Sequence, residues 1–264
     1  MDNGEEAIPF IIFTDSQGFQ VSAEAKEFLS SLSLKRLGII SIVGKYRTGK
    51  SYFVNKVLLS RGTRKGFAVG NTVNPCTKGL WLWKKVLNAK DYGGEDLPVL
   101  VIDTEGFGGI DEGINHDTRI FLFSLLLSSY FIYNSVGAID ENSLQSLSLI
   151  INLAKEITLK SSGENGGDEF PWLLWVLRDF SLSMEDTAGL PLTAKQYLEN
   201  ALAPVKGISE ISEAKNRLRR MLKQFFGVRD CIAFVRPVEE ERHLQKLDEL
   251  DDEFLRPEFK EQIT

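Results

Sequence analysis

Apolar residues follow two kinds of spacing along the chain, continuous runs and recurrence every three or four residues. Because the two kinds alternate, they predict a fold in which strands alternate with helices. Short continuous apolar runs, such as Leu37 to Val43 and Leu97 to Ile102, are typical of strands buried on both faces. Between such runs, as from Ser143 to Leu159, apolar positions recur every three or four residues, which is typical of a helix with one buried face. The pattern therefore favours an α/β fold with a mostly parallel sheet, helices on both faces, and a ligand at the carboxyl ends of the strands.

The same spacings assign most of the chain to elements. The most apolar segment, Ile120 to Val136, is interrupted by serines, tyrosines and an asparagine, so it falls short of a membrane span and predicts a buried helix. The glycine-rich stretch 161–169 predicts a surface loop. The predicted strands are 8–13 and 18–21 (a hairpin), 37–43, 81–87, 97–102, 170–177 and 231–235, and the predicted helices are 23–31, about 49–60, 121–133, 143–159, 193–202 and 212–226.

The segment after the strand at 37–43 has the spacing of a phosphate-binding loop. It reads Gly-Lys-Tyr-Arg-Thr-Gly-Lys-Ser, which fits G-x-x-x-x-G-K-[ST]. The glycines let backbone N–H groups point at phosphate oxygens, the lysine reaches the β and γ phosphates, and the serine hydroxyl can coordinate Mg²⁺. A glycine-rich turn between a strand and a helix is the structural alternative. The candidate nucleotide-binding residues here are Gly44, Lys45, Tyr46, Arg47, Thr48, Gly49, Lys50 and Ser51, with Ser51 also a candidate metal ligand.

A second motif follows the strand at 97–102. This strand ends in Asp-Thr-Glu-Gly, a D-x-x-G sequence, in which the aspartate can hold Mg²⁺ through water and the glycine N–H can contact a γ-phosphate. D-x-x-G is common in ordinary turns, but its place directly after a strand and downstream of a phosphate loop favours a switch-type nucleoside triphosphatase. The candidate residues are Asp103, Thr104, Glu105, Gly106 and Phe107.

The loop between the two motifs contains a further candidate metal ligand. A threonine in a mobile loop at this place can add a second ligand to Mg²⁺ and sense the γ-phosphate, and Thr77 is the candidate. Val69, Gly70 and Asn71 in the same loop are candidate nucleotide contacts.

Composition narrows the class of protein. The 264 residues carry a net charge of −6 without a long Lys/Arg run, which argues against a nucleic-acid partner. The chain has only two cysteines and two histidines, which argues against a disulfide scaffold and against a zinc site. The acidic N-terminus lacks the layout of a signal peptide, so a cytoplasmic protein is expected.

Five spaced segments resemble the guanylate-binding proteins, large interferon-inducible-type GTPases of the dynamin superfamily, with atlastins as more distant kin. The likeness runs in order from about residue 8 to the end of the chain. The segments are Tyr46-Arg47-Thr48-Gly49-Lys50-Ser51, Thr77-Lys78-Gly79-Leu80-Trp81, Asp103-Thr104-Glu105-Gly106, Tyr133-Asn134-Ser135 and Leu177-Arg178-Asp179-Phe180.

This resemblance implies a large P-loop G domain that binds GTP with Mg²⁺ and reads guanine through an Arg-Asp pair, here Arg178 and Asp179. A carboxylate can accept from the guanine N1–H and exocyclic amine, and adenine offers no such pair of donors. An exposed ion pair at a strand end is the alternative. The resemblance also places Arg236 and Pro237 in the loop that covers the base and ribose.

For catalysis, the resemblance implies an internal arginine finger at Arg47, brought onto the phosphate by homodimerisation through the nucleotide faces, with Lys50, Thr77 and Glu105 as its catalytic partners. Phe107 stands where small GTPases often carry a water-orienting glutamine. Pro75 replaces a serine that positions water in animal members, and a proline has neither a hydroxyl nor an N–H for that task. Turnover, and a second cleavage from GDP to GMP, are therefore open.

Three hypotheses account for these motifs. The first is a Mg²⁺-dependent, dimerising GTPase, and the second is a slow or inactive GTP-dependent assembly switch. The third is an atlastin-like membrane-remodelling GTPase, whose membrane segments would lie outside this chain. The expected organisation is an N-terminal hairpin and helix at 1–36, a GTPase core at 37–245, and at 246–264 the start of a linker towards a helical stalk, as in an isolated domain or a short form.

Overall fold

The computed structural model describes residues 7–14, 16–59, 66–67, 79–91, 93–107, 114–162, 170–247 and 249–263. Within these ranges a nine-stranded sheet runs through the molecule. Its strands are β1 (Ala7–Thr14), β2 (Gly18–Val21), β3 (Gly38–Gly44), β4 (Leu80–Trp83), β5 (Leu87–Lys90), β6 (Asp96–Thr104), β7 (Tyr130–Val136), β8 (Trp172–Arg178) and β9 (Arg229–Ala233). The helices are α1 (Ala23–Ser31), α2 (Lys50–Phe53, continued by a π-helical turn Val54–Leu58), α3 (Ile114–Leu127), α4 (Glu141–Ser162), α5 (Ala194–Ala201), α6 (Glu210–Phe225), α7 (Glu241–Leu244) and α8 (Pro257–Ile263), with a 3₁₀ turn at Asp252–Phe254.

The strand order is β2-β1-β4-β6-β3-β7-β8-β9, with β5 also paired to β6. The five neighbouring strands β6, β3, β7, β8 and β9 are parallel, and the pairings of β1, β2, β4 and β5 are antiparallel. The carboxyl ends of the five parallel strands therefore share one edge of the sheet. The predicted α/β fold is confirmed, with an antiparallel extension on one side.

Side chains of the central strands alternate between two hydrophobic clusters. Phe131 and Tyr133 of β7 pack with helices α3 to α6, whereas Ile132 between them packs with α2 and the C-terminal segment. In the same way Trp175 and Val176 of β8 face opposite clusters. Burial on both faces explains the continuous apolar runs in the sequence, because neither face of such a strand is open to solvent.

The predicted helix at 121–133 is wrong in its second half. The structure ends α3 at Leu127 and begins the central strand β7 at Tyr130. A strand buried on both faces is as uniformly apolar as a buried helix, so periodicity does not separate them. The serines between the two elements mark the break, since the Ser129 N–H leaves the helix pattern and donates to the Ile39 carbonyl at 2.9 Å.

The predicted strand at 81–87 is wrong in its middle. From Leu80 to Leu87 the chain advances seven positions while its partner β6 advances five, from Thr104 to Val99. Two extra residues therefore bulge out and divide the segment into β4 and β5. Bulges of this kind have no clear sequence signature here, since Lys84 and Lys85 also fit an exposed strand face.

The C-terminal elements α7 and α8 were not predicted. Helix α8 is short, and its one fully buried side chain is Phe259. Among the described helices, none is both long enough and apolar enough to cross a bilayer.

Candidate functional site

The phosphate-binding loop lies at the carboxyl end of the central strand β3 and leads into α2. Gly49 has φ of 75°, a left-handed conformation that glycine adopts without strain. A Cβ on Gly44 would lie 2.1 Å from the Asn134 carbonyl oxygen of β7. Both glycines of the motif are thus required by the backbone, one by its φ angle and the other by a close approach.

Asn134 fixes the loop from the neighbouring strand. Its Nδ2 donates to Thr48 Oγ1 at 2.8 Å and to the Thr48 carbonyl at 3.2 Å. The Thr48 hydroxyl in turn donates to the Lys45 carbonyl at 2.7 Å. The loop is therefore held in a curled shape by hydrogen bonds of its own residues and of β7. In the sequence, Asn134 stands only in a segment that resembles the family and has no predicted role, because its partner is 86 positions away in the chain.

Lys50 is buried beneath the loop with 6% of its surface exposed. Its ammonium donates to the Lys45 carbonyl at 3.3 Å. Burial lowers the pKa of Lys50, and the carboxylates of Asp103 and Glu105 oppose that shift. A lysine held this way is a point charge at the head of a helix, as phosphate binding requires.

Ser51 and Asp103 meet between α2 and β6. Ser51 Oγ donates to Asp103 Oδ2 at 2.5 Å, and the Thr104 N–H donates to the other carboxylate oxygen at 3.0 Å. Asp103 is fully buried, and burial raises its pKa to about 6 despite the nearby Lys50. A hydroxyl and a carboxylate side by side are hard oxygen donors of the kind that Mg²⁺ prefers, and a buried carboxylate with a raised pKa would gain from a divalent cation. The residues present therefore fit a magnesium ion.

Glu105 ties the D-x-x-G segment to the end of the preceding loop. Its Oε2 accepts from the Gly79 N–H at 2.8 Å, and its own N–H donates to the Gly79 carbonyl at 2.8 Å. His116 Nε2 lies 3.1 Å from the same carboxylate oxygen, while the buried Oε1 has no hydrogen-bond partner among the described residues. Sequence reasoning missed His116 at this site, because nothing in its spacing points to Glu105.

The rest of the D-x-x-G segment packs on the phosphate loop through its backbone. A Cβ on Gly106 would lie 2.2 Å from Tyr46 Cα, so only glycine fits. The Tyr46 N–H donates to the Phe107 carbonyl at 3.1 Å, and the Phe107 ring stacks on Phe121 in the core at 5.6 Å. The Thr104 hydroxyl donates to the Ile42 carbonyl. Thr104 therefore ties its segment to β3 through its hydroxyl, and Phe107 holds the phosphate loop through its carbonyl while its ring packs in the core.

The two residues of the predicted base-reading pair, Arg178 and Asp179, lie in different surroundings in the structure. Asp179 is exposed at the end of β8 and has φ of 53°, a left-handed conformation. Arg178 is 4% exposed and lies behind the phosphate loop, where its Nη1 donates to the Gly49 carbonyl at 3.3 Å. Asp179 is thus available to a ligand, and Arg178 supports the loop.

The segment after β9 reaches the same edge of the sheet. Arg236 Nη2 lies 3.4 Å from Glu241 Oε1, and the Pro237 carbonyl accepts from the Arg256 N–H at 2.8 Å. Arg47, in the phosphate loop, is exposed with φ of 59° and makes no ion pair with any residue that the structure describes. The remaining candidates Val69, Gly70, Asn71 and Thr77, and the departure at Pro75, lie outside the described residues.

Comparison with known proteins agrees with this geometry. The family model described as "Guanylate-binding protein, N-terminal domain" matches residues 16–264. The chain is 38% identical to guanylate-binding protein 1 of Chlorocebus aethiops over 97% of its own length and 43% of the relative's, and 38% identical to guanylate-binding protein 1 of Homo sapiens over 97% and 44%. It is also 38% identical to guanylate-binding protein 2 of Mus musculus, over 92% of this chain and 41% of that protein. The chain thus spans less than half the length of these relatives, and it belongs to the guanylate-binding protein family through their N-terminal domain.

Proposed function

We propose that this chain is a Mg²⁺-dependent GTPase that hydrolyses GTP to GDP and forms a homodimer through its nucleotide face when the nucleotide is bound. The observation that supports it most is the cluster of Lys50, Ser51 and Asp103 at the carboxyl ends of the parallel strands. The lysine provides a cation for phosphates, and the serine and aspartate provide oxygen ligands for the metal. The name of the family, which refers to guanylate binding, supports GTP as the nucleotide.

Guanine selection is assigned to Asp179. Its carboxylate is exposed at the end of β8, next to the segment after β9 that holds Arg236 and Pro237. Two acceptor oxygens match the two adjacent donors of guanine, whereas adenine presents an acceptor at N1. The proposal places Arg236 and Pro237 against the base and ribose.

Glu105 and Arg47 are assigned to the chemical step. Glu105 holds Gly79, the residue that ends the loop bearing Thr77, and this hydrogen bond supports a role of its carboxylate in fixing that loop when the nucleotide is bound. Arg47 is exposed on the loop that cradles the phosphates, and a second copy facing this surface would exclude water from it. In that setting a guanidinium stabilises the charge that develops on the transferring phosphate. Mg²⁺, held by Ser51, Thr77 and, through water, Asp103, would neutralise phosphate charge.

The experiment is incubation with GTP and Mg²⁺ at several protein concentrations, with products separated by chromatography. Turnover per molecule that rises with protein concentration, with GDP or GMP as product, would support a dimer-activated GTPase. Turnover that is independent of concentration would contradict the dimer, and equal affinity for ATP and GTP would contradict guanine selection.

A second candidate is a GTP-dependent assembly switch with little or no turnover. Pro75 motivates it, because a proline two positions before Thr77 provides neither a hydroxyl nor an N–H to position water. Tight GTP binding with negligible phosphate release from the unmodified chain would select this candidate. Substitution Pro75→Ser should then raise turnover without changing GTP affinity.

A further inference from the structure

Arg178 contacts the phosphate loop from behind. Its Nη1 donates to the Gly49 carbonyl at 3.3 Å, and its terminal guanidinium atoms lie 3.6 to 3.8 Å from the position that a Cβ on Gly49 would occupy. Gly49 is also the residue at which the loop turns into α2, with φ of 75°. The guanidinium therefore sits where it can set the position of the loop's last turn.

Three aromatic rings surround this guanidinium. The ring centroids of Phe53, Phe234 and Phe259 lie 5.9, 5.9 and 6.0 Å from its central carbon. Each ring comes from a different segment: Phe53 from α2, Phe234 from the chain after β9, and Phe259 from α8. Cations over aromatic faces are attracted by the ring quadrupole, most strongly when they are withdrawn from water. We call Arg178 and these three rings the arginine cage.

The cage holds its cation without an ion pair to any described residue. Arginine stays charged in proteins, although burial lowers the pKa of Arg178 here. Its buried Nε has no hydrogen-bond partner in the described part of the chain. A buried cation without an ion pair is costly to stability, so its place directly behind a phosphate loop points to a role beyond packing.

The C-terminal segment reaches the cage through several contacts of its own. Gln262 Oε1 accepts from the Val235 N–H at 2.9 Å, and the Arg256 N–H donates to the Pro237 carbonyl at 2.8 Å. Lys56, in the π-helical turn after α2, forms an ion pair with Asp252. Helix α8 is thus docked between the loop that follows β9 and the helix that follows the phosphate loop.

We propose that Arg178 is a positioning residue for the phosphate loop, and that Phe259 of α8 couples docking of the C-terminal segment to nucleotide affinity by completing the arginine cage. The inference rests on the proposed binding of a nucleotide at the loop. Coupling between two sites is reciprocal, so nucleotide binding must strengthen the docking of α8 by the same factor with which docking strengthens nucleotide binding. In a longer chain, a segment continuing beyond α8 would then sense the nucleotide through this helix.

The test compares Phe259→Leu with Phe226→Leu. Both phenylalanines are buried, but Phe226 stacks on Phe131 in the cluster on the opposite face of the sheet. Titration with a fluorescent GDP analogue should show a Kd about 5- to 20-fold higher for Phe259→Leu, whereas the control should stay within about twofold of the unmodified chain. Equal effects of the two substitutions on Kd would show that Phe259 acts only through core packing, and would overturn the inference.

Two further measurements separate positioning from structure alone. Arg178→Lys keeps a charge but loses the planar fork, so Kd and KM should rise while kcat at saturating GTP stays within about threefold, and Arg178→Met should raise Kd further. In the unmodified chain, hydrogen exchange of the amides at 258–263 should slow when GDP is added. A chain that fails to bind GDP contradicts the proposed function; one that binds GDP without slowing exchange in α8 contradicts only the coupling.

Discussion

The two ends of the candidate site are built in opposite ways. At the phosphate end, Lys50, Asp103 and Glu105 are each less than 7% exposed, and hydrogen bonds from β7 and the D-x-x-G segment hold the loop. At the base end, the proposed reader Asp179 is exposed, and Arg236 is half-buried beside Glu241. The phosphate end is therefore preorganised, whereas the base end leaves the Asp179 carboxylate open to a ligand.

This contrast separates affinity from specificity. Triphosphate is common to all nucleoside triphosphates, so buried and fixed groups at that end can raise affinity for all of them equally. In the proposed function, discrimination between bases depends on the Asp179 carboxylate, whose removal should leave the fold intact. Substitutions at the phosphate end should consequently lower affinity for all nucleotides, whereas substitutions at the base end should lower only the preference for guanine.

Lys50→Ala should have the largest effect on nucleotide affinity. The substitution removes the cation that faces the phosphates and leaves Asp103 and Glu105 buried without it. Losing one partner of a buried charge pair costs about 3–5 kcal/mol, so affinity for GTP and ATP should fall by roughly 10²- to 4 × 10³-fold alike. A fluorescent nucleotide titration measures this, with circular dichroism as the check on folding. Lys35→Ala, at an exposed lysine before the other end of β3, is the control, and an equal loss there would contradict a specific role of the buried Lys50.

Arg47→Ala should reduce turnover with little change in affinity. Arg47 is exposed in a left-handed conformation and is proposed to act only in the dimer, so ground-state binding does not depend on it. Arginine fingers contribute roughly 10³-fold or more to kcat, and we expect a loss of this order with Kd within about threefold. Single-turnover kinetics at saturating protein separate the two quantities. If affinity and kcat fell together, Arg47 would be assigned to phosphate binding and not to the chemical step.

The phosphate end was also the part that the sequence predicted best. The spacing of Gly44, Gly49, Lys50 and Ser51 is local, and so is the D-x-x-G motif after β6, so each can be found from a few neighbouring residues. The structure adds what joins them, namely the Ser51 to Asp103 hydrogen bond across 52 positions.

What the sequence missed depends on long-range contacts. Asn134 reaches Thr48 only because β7 lies beside β3, and β7 itself was assigned to a helix from its uniform apolar character. His116 of α3 contacts Glu105, and Phe259 of α8 contacts Arg178, but no sequence motif in either helix predicts these contacts. Arg178 was paired with Asp179 because of the family resemblance. Arg178 is the last residue of β8, whereas Asp179 follows the strand with φ of 53°, and only the structure separates the buried one from the exposed one.

Asp179→Asn should act only on base choice. Asparagine tolerates the left-handed φ of 53° and the site is exposed, so the fold should not change. A hydrogen bond to a charged group contributes about 1.5–3 kcal/mol, which predicts a loss of roughly 10- to 100-fold in the preference for GTP over ATP. Xanthosine triphosphate, which carries a carbonyl at C2, should gain affinity from the new amide donor. Competition titrations with the three nucleotides test this, and an unchanged GTP to ATP ratio would remove Asp179 from the base site.

The smallest effect should be a pH dependence confined to the phosphate end. Burial raises the pKa of Asp103 to about 6, so the nucleotide-free folded chain holds that proton more tightly than the unfolded chain does. The stability from this group is therefore present at low pH and is lost as the pH rises through about 6. Metal-dependent binding should change with pH in the opposite direction, because the ionised carboxylate is the form that would hold Mg²⁺ through water. At pH 5 only about a tenth of it is ionised, so affinity for Mg²⁺·GTP should be about tenfold weaker than at pH 7. Calorimetric titration at the two pH values, with and without Mg²⁺, measures this. Asp103→Asn should remove both dependences, and if that variant kept the tenfold step, the titrating group would have to lie elsewhere in the site.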